Sequence, residues 1–239
     1  MDSTSDTKKE QWMPTAERFV CFLDIMGFKD MVMRNSHESI YKMLSDFSVK
    51  RDTLDNARGL PQPYEIDSLK TVCFSDSIII FTKNDTKECL ELLLMAISWL
   101  FAEAIESGIP LKGAISHGKL SVNISRKIFF GQPLIDAYLL EEEVEFYGIV
   151  IHNTVEKILN KSFPSLRDIG ICKDCNVPLK PGKIQHYILD WAYNMDKGNG
   201  SESAKDKILR LMKKQREQTV GGPRRYIDNT LNVFNQIYK

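Results

Sequence analysis

The sequence carries no excess of charge of either sign. Its 32 lysines and arginines balance its 32 aspartates and glutamates, so there is no general electrostatic footprint for nucleic acid or for an anionic membrane. Long apolar runs are missing as well. The longest, residues 90–105, is interrupted by Glu91, Ser98 and Glu103 and is too short to span a bilayer. Residues 1–12 are polar and charged, so no secretory leader is expected there. Cysteines are few, and three of the five (Cys21, Cys73, Cys89) fall in expected core elements, which points to reduced thiols in a cytosol. Cys172 and Cys175 have the spacing of half a zinc site, but no second pair follows them and His186 sits in an apolar strand pattern. No structural metal is expected there. The four histidines are scattered and read as structural, with no Ser-His-Asp or Cys-His set beside them. Internal repeats and low-complexity tracts are absent.

What is present begins with residues 18–32, RFVCFLDIMGFKDMV. Residues 19–23 are a fully apolar run rich in aromatic and β-branched side chains, which reads as a strand buried on both faces. Asp24 stands at its end, and Gly27 breaks the run before an amphipathic segment opens with Phe28. A second stretch answers it. Residues 69–81, LKTVCFSDSIIIF, are two apolar runs split by Ser75-Asp76-Ser77, a hairpin with one acid at its tip. Two isolated carboxylates at the ends of apolar strands can meet at one sheet edge. With backbone carbonyls, phosphate oxygens and water they form the hard ligand set that Mg²⁺ or Mn²⁺ prefers.

The remaining elements follow in order. One domain with terminal additions is the simplest count for 239 residues. Residues 1–14 read as a disordered arm, 15–193 as the main domain, and 194–239 as a Gly-rich linker followed by two amphipathic helices divided at Gly221-Gly-Pro223. The backbone N–H groups of Gly27, Phe28 and Lys29 open a helix and are placed to attract phosphate oxygens. Ser36 caps a helix with Ile40, Met43, Leu44 and Phe47 on one face, and residues 56–63 form a loop. Asp85-Thr86 caps a long helix that ends at Gly108 and Pro110. Residues 111–122 alternate around Gly113 and Gly118 and read as another hairpin, and residues 128–141 pass from strand to helix. Tyr41 and Tyr64 are the aromatic side chains available to stack on a base and read its edge. Lys180 and Lys183 flank a glycine turn ahead of an apolar strand.

Four motifs recur together. LDIxGFxD at residues 23–30, FSDSIxxF at 74–81, GAIxxG at 113–118 and AYxLE at 137–141 stand in the order found in class III nucleotidyl cyclases of the Pycsar-type bacterial pyrimidine branch, which this chain resembles over residues 17–190. The resemblance implies an α+β fold with a ferredoxin-like βαββαβ core, an antiparallel sheet with flanking helices, and here a C-terminal helical addition. It implies a bacterial, cytoplasmic uridylate or cytidylate cyclase (UTP or CTP as substrate) that serves antiphage defence through a separate effector. Two divalent ions, Mn²⁺ or Mg²⁺, would be held by Asp24, Asp76 and the Ile25 carbonyl, and Lys180 or Lys183 would take the terminal phosphate. The family works as a head-to-tail homodimer with composite sites, metals from one chain and base contacts from the other.

The chain departs from the wider family twice. Val72 occupies the place of the lysine that reads adenine, which disfavours a purine substrate, and Lys70 lies at a different depth. Ile135 and Leu139, or Asp136 and Leu140 in a register shifted by one, stand where the family has its transition-state asparagine and arginine. That second departure supports a competing expectation, a cyclase-like nucleotide-binding module without turnover.

Overall fold

A computed structural model of the chain describes residues 12–54, 67–193, 204–217 and 219–238. The arm up to residue 11, the loop at 56–63, Tyr64 and the linker at 194–203 lie outside the described residues.

Strand β1 (Thr15–Ile25) runs through the middle of the molecule. Its aromatic and β-branched run is paired on both sides, with β3 (Ser77–Thr82) and with β4 (Leu111–Asn123), both antiparallel. β2 (Leu69–Phe74) pairs with β3 through a two-residue turn at Ser75 and Asp76. Ser75 takes the left-handed conformation (φ 57°) that such tight hairpin turns need. On the other side of β4 stand β6 (Ile149–Ile151), the one parallel neighbour, then β8 (Gly182–Leu189) and β7 (Cys172–Leu179). The far half of β4 pairs instead with β5 (Ile128–Gly131). The sheet order is therefore β2-β3-β1-β4-β6-β8-β7, with β5 beside β4. Its first four strands run in the ferredoxin-like order with helices α1 (Phe28–Arg34) and α2 (His37–Asp52) after β1 and α3 (Lys87–Glu106) after β3. The α+β class and the mostly antiparallel sheet are as expected from the sequence.

Residue parity on β1 separates two faces. Phe19, Cys21, Leu23 and Ile25 enter the main core with α3, which is buried along most of its length and capped by Thr86 accepting from the Cys89 N–H. Ser36 caps α2 in the same way, accepting from Ser39, and Phe47 points into that core. Arg18, Val20, Phe22 and Asp24 face the other side, which is crossed by α4 (Gln132–Glu143). Helices α5 (Asn153–Lys161), α6 (Pro164–Asp168), α7 (Ala204–Glu217) and α8 (Gly222–Ile237) complete the chain. Ile208, Met212, Ile227 and Phe234 from α7 and α8 are buried in the main core, so the C-terminal helices are an integral part of it.

One sequence expectation is corrected, and one strand lies where none was expected. Residues 111–122 form one long strand, not a hairpin: a Cβ on Gly113 would lie 2.5 Å from Leu23 Cδ2 and 2.6 Å from the Phe22 carbonyl, so this glycine serves close approach of β1 rather than a turn. Residues 172–179 are a strand, β7, and Cys172 and Cys175, three apart on it, point to opposite faces and enter separate clusters of the core. They cannot share an ion. Among the described residues no helix is long and apolar enough to cross a membrane.

Candidate active site

Asp24 is the penultimate residue of β1, directly opposite Ser77 on β3 and Lys112 on β4. All three side chains therefore leave the same face of the sheet. Asp76 occupies the hairpin turn next to Ser77, and its backbone carbonyl accepts from the Ile25 N–H (3.1 Å), which ties the hairpin tip to the end of β1. The hairpin tip thus lies beside the end of β1, and the Asp76 charge acts on Asp24. Burial pushes the Asp24 carboxyl up from its ordinary 3.8 to about 7, and the negative charges of Glu141 and Asp76 push the same way; Lys112 and a hydrogen bond with Ser77 pull it back.

Immediately beyond, Gly27 takes the left-handed conformation (φ 69°) and starts α1. The first helical bond runs from the Met31 N–H to the Gly27 carbonyl, so the N–H groups ahead of it lack intrahelical partners. The Phe28 side chain packs on the main core and Lys29 is exposed. Tyr41 lies on α2, 69 % exposed, and no contact joins it to the acids. Lys180 sits in the β7–β8 turn, where its N–H donates to the Glu143 carbonyl (2.9 Å), and its charge acts on Glu141. Lys183, opposite Pro178 on the same hairpin, is exposed and has no contact with the acids. Val72 is partly buried among apolar side chains, and Lys70 pairs with Asp67 at 2.6 Å.

Helix α4 adds what the sequence reading passed over. Pro133, Ala137 and Glu141, one turn apart, form its buried stripe. Glu141, 3 % exposed, is brought to the Asp24 side of the sheet, with its Oε1 2.9 Å from Lys112 Nζ. Burial raises its carboxyl pKa, and Lys112 opposes that rise. Tyr138 packs edge-on against Phe22 (5.4 Å between ring centroids) and bonds to Glu142. Both residues belong to the AYxLE motif, so the signal was a lone acid at the buried spacing of an apolar stripe. Ile135 and Leu139 project outward, 51 % and 53 % exposed, and do not join the acids.

Among the described residues no three His, Cys, Asp or Glu side chains converge as a metal-holding group. The two carboxylates and the Ile25 carbonyl fit a hard cation only in the manner of Mg²⁺ sites, which use one or two carboxylates and draw their other ligands from water and substrate phosphates. The Asp24 pKa is raised first by burial and then by the Glu141 and Asp76 charges, which Lys112 only partly opposes.

No protein-family model and no curated protein matches the chain. Solved structures do. The catalytic core of a rhodopsin-guanylyl cyclase with converted specificity, in complex with ATPalphaS, is similar with a TM-score of 0.53 and 15% identity, covering 74% of this chain and 98% of that one. The guanylate cyclase domain of RhGC from Catenaria anguillulae, in complex with GTP, gives 0.52 and 14%, covering 73% and 96%. A bacterial light-regulated adenylyl cyclase gives 0.54 and 13%, covering 86% and 99%. The chain has the class III nucleotidyl cyclase fold. In this fold Asp24 and the α4 residue Glu141 lie on the side of the sheet away from α3, and the β7–β8 turn adjoins the end of α4.

Proposed function

We propose that the chain is a nucleotide cyclase, and that its substrate is a pyrimidine nucleotide, UTP ahead of CTP, converted to 3′,5′-cyclic UMP and pyrophosphate. The observation that carries this reading is the junction of Asp24 and Asp76 at one sheet edge, with Asp24 driven up to about 7 by burial and by neighbouring negative charge. The cyclase fold supports it, and Val72 in place of a base-reading lysine favours a pyrimidine over a purine.

In the reaction the ribose 3′-oxygen forms a bond to the α-phosphorus of its own triphosphate, the bond from that phosphorus to the bridging oxygen breaks, pyrophosphate departs, and the hydroxyl proton leaves to solvent. Asp24, Asp76 and the Ile25 carbonyl would hold two divalent ions, Mn²⁺ or Mg²⁺, whose chemistry is to make the hydroxyl more acidic and to neutralise the leaving phosphates. The protein's own task is alignment. The N–H groups at Gly27, Phe28 and Lys29 receive phosphate oxygens, and Lys180, whose turn is stitched to the end of α4, meets the terminal phosphate ahead of Lys183. Tyr41 and Tyr64 would contact the base from a second protomer. The outward-facing Ile135, Tyr138 and Leu139 of α4 and Phe130 of β5 are apolar surface suited to that homodimer. Production of a cyclic pyrimidine nucleotide as an antiphage messenger in a bacterial cytoplasm completes the proposal.

Incubation of the purified chain with Mn²⁺ and, separately, UTP, CTP, ATP and GTP, with products resolved by mass, tests it. Cyclic UMP that disappears in Asp76→Ala is the expected result. Ile135 and Leu139, apolar where the family stabilises its transition state, favour a second reading, a nucleotide-binding module. Binding of nucleotide without any cyclic product from the four substrates would select it.

A further inference from the structure

Asp24 and Lys112 face each other directly across β1 and β4. Residues so placed hold their Cβ atoms about 4.5–5.5 Å apart, and opposite charges there ordinarily pair. Here they do not. The Lys112 ammonium donates to the backbone carbonyl of Glu141 (3.0 Å) and lies 2.9 Å from its Oε1. Asp24 bonds instead to Ser77 and feels Lys112 only through space.

Three features make this arrangement specific. The Glu141 side chain is 4 % exposed, and its Oε1 has the Lys112 charge nearby but no well-directed hydrogen bond, so that charge is its compensation. The Lys112 side chain is 14 % exposed, so its ammonium is largely withdrawn from water and has the buried Glu141 and the half-buried Asp24 as its nearby carboxylates. Glu141 is fixed by the stripe of α4 that packs on β1 and β4.

We infer that Glu141 is a positioning residue that draws the Lys112 ammonium away from Asp24 and so keeps the Asp24 carboxylate open to a divalent cation. The inference rests on the reading of Asp24 and Asp76 as cation ligands. If Glu141 loses its charge, Asp24 becomes the carboxylate opposite the lysine. An intramolecular Lys112–Asp24 pair then competes with the ion for the same oxygens.

The test titrates Mn²⁺ alone into the full chain at pH 8, without nucleotide, following the free-ion signal by electron paramagnetic resonance. The proteins are wild type, Glu141→Gln, Lys112→Met and the double variant, with circular-dichroism melts of each. Glu141→Gln should weaken Mn²⁺ binding by about tenfold, the scale on which a neighbouring opposite charge shifts a carboxylate. Lys112→Met should bind no more weakly than wild type. The double variant should return to within about threefold of wild type, because without the ammonium nothing competes for Asp24. Wild-type affinity in Glu141→Gln overturns the inference. A double variant as weak as Glu141→Gln also overturns it, since Glu141 would then act by its own contacts. If Glu141→Gln does not fold, the double variant compared with Lys112→Met decides: equal affinity supports the inference, and weaker binding by the double variant makes Glu141 a ligand and overturns it. A wild-type chain that takes up no Mn²⁺ overturns both the inference and the cation site beneath it.

Discussion

The two ends of β1 carry opposite charges on the same face of the sheet, Arg18 buried and Asp24 half-buried, and treat them differently. At its start the Arg18 guanidinium, 0 % exposed, is met among the described residues by neutral groups: the carbonyls of Leu120 (2.7 Å) and Met13 (2.5 Å) and the ring of Trp12, 5.3 Å from the guanidinium carbon. Trp12 is itself anchored by its indole N–H to Asp67. Fixed dipoles and an aromatic face surround this cation, and burial lowers its pKa without a charged partner. Six residues on, Asp24 has the reverse surroundings, two further acids and one lysine that is turned elsewhere. The Arg18 end is enclosed by neutral acceptors and an aromatic face, with its Nε left unbonded, whereas the Asp24 end is partly open and lacks positive charge. An enclosed charge held by fixed dipoles serves the fold, and a partly open charge with little compensation is available to a ligand.

Breaking the Asp24 end should have the largest effect. Asp76→Ala should reduce cyclic-nucleotide formation by about a thousandfold, because it removes half of the carboxylate pair that would hold the divalent ions. Arg18→Met should leave turnover per folded molecule unchanged; a loss comparable to that of Asp76→Ala would erase the distinction between the two ends. In stability the order reverses. Arg18→Met strands the buried Leu120 carbonyl and frees the part-buried Met13 carbonyl, and should cost about 2–3 kcal/mol by denaturant unfolding, with a normal m-value.

A smaller effect is the pH dependence of the metal-free protein. The folded pKa of Asp24, about 7, lies above its ordinary 3.8, so the folded state binds the extra proton between those values. Stability should therefore fall as pH rises from about 4 to about 7 and level off above that. Asp24→Asn should remove this slope and be more stable than wild type at pH 8, by about 1–2 kcal/mol after allowance for partial solvent screening. Melts at pH 5 and pH 8 check it, and an unchanged slope in the variant would assign it elsewhere. The smallest effect sharpens the Arg18 end: Trp12→Phe, which keeps a ring but loses the indole N–H, should cost about 1 kcal/mol and leave Mn²⁺ binding alone.

Much of this was legible in the sequence wherever the signal is local. The apolar run before Asp24, the Ser-Asp-Ser interruption at Asp76, and the caps at Ser36 and Thr86 each act within a few residues, and each appears where expected. The pairing of Lys112 with Glu141 was not legible, because it depends on the register of β4 against β1 and on where α4 crosses them. Gly113 misled for a related reason. A glycine in an alternating run signals a turn locally, whereas here it lets two strands and a bulky Leu23 approach, which only tertiary structure reveals. Strand β7 went unread since Asp174, Asn176 and Pro178, although they alternate with Cys175, Val177 and Leu179, are residues that disfavour strands, and it forms because β8 and α8 lie against it.

The most direct test is the Mn²⁺-induced rise in melting temperature at pH 8, measured on wild type, Asp24→Asn, Asp76→Asn and Arg18→Met. At about a hundredfold excess of Mn²⁺ over its Kd, wild type and Arg18→Met should each gain about 5 °C or more, and the two aspartate variants should gain almost nothing. An equal rise in Asp24→Asn would place the ion elsewhere and contradict the account.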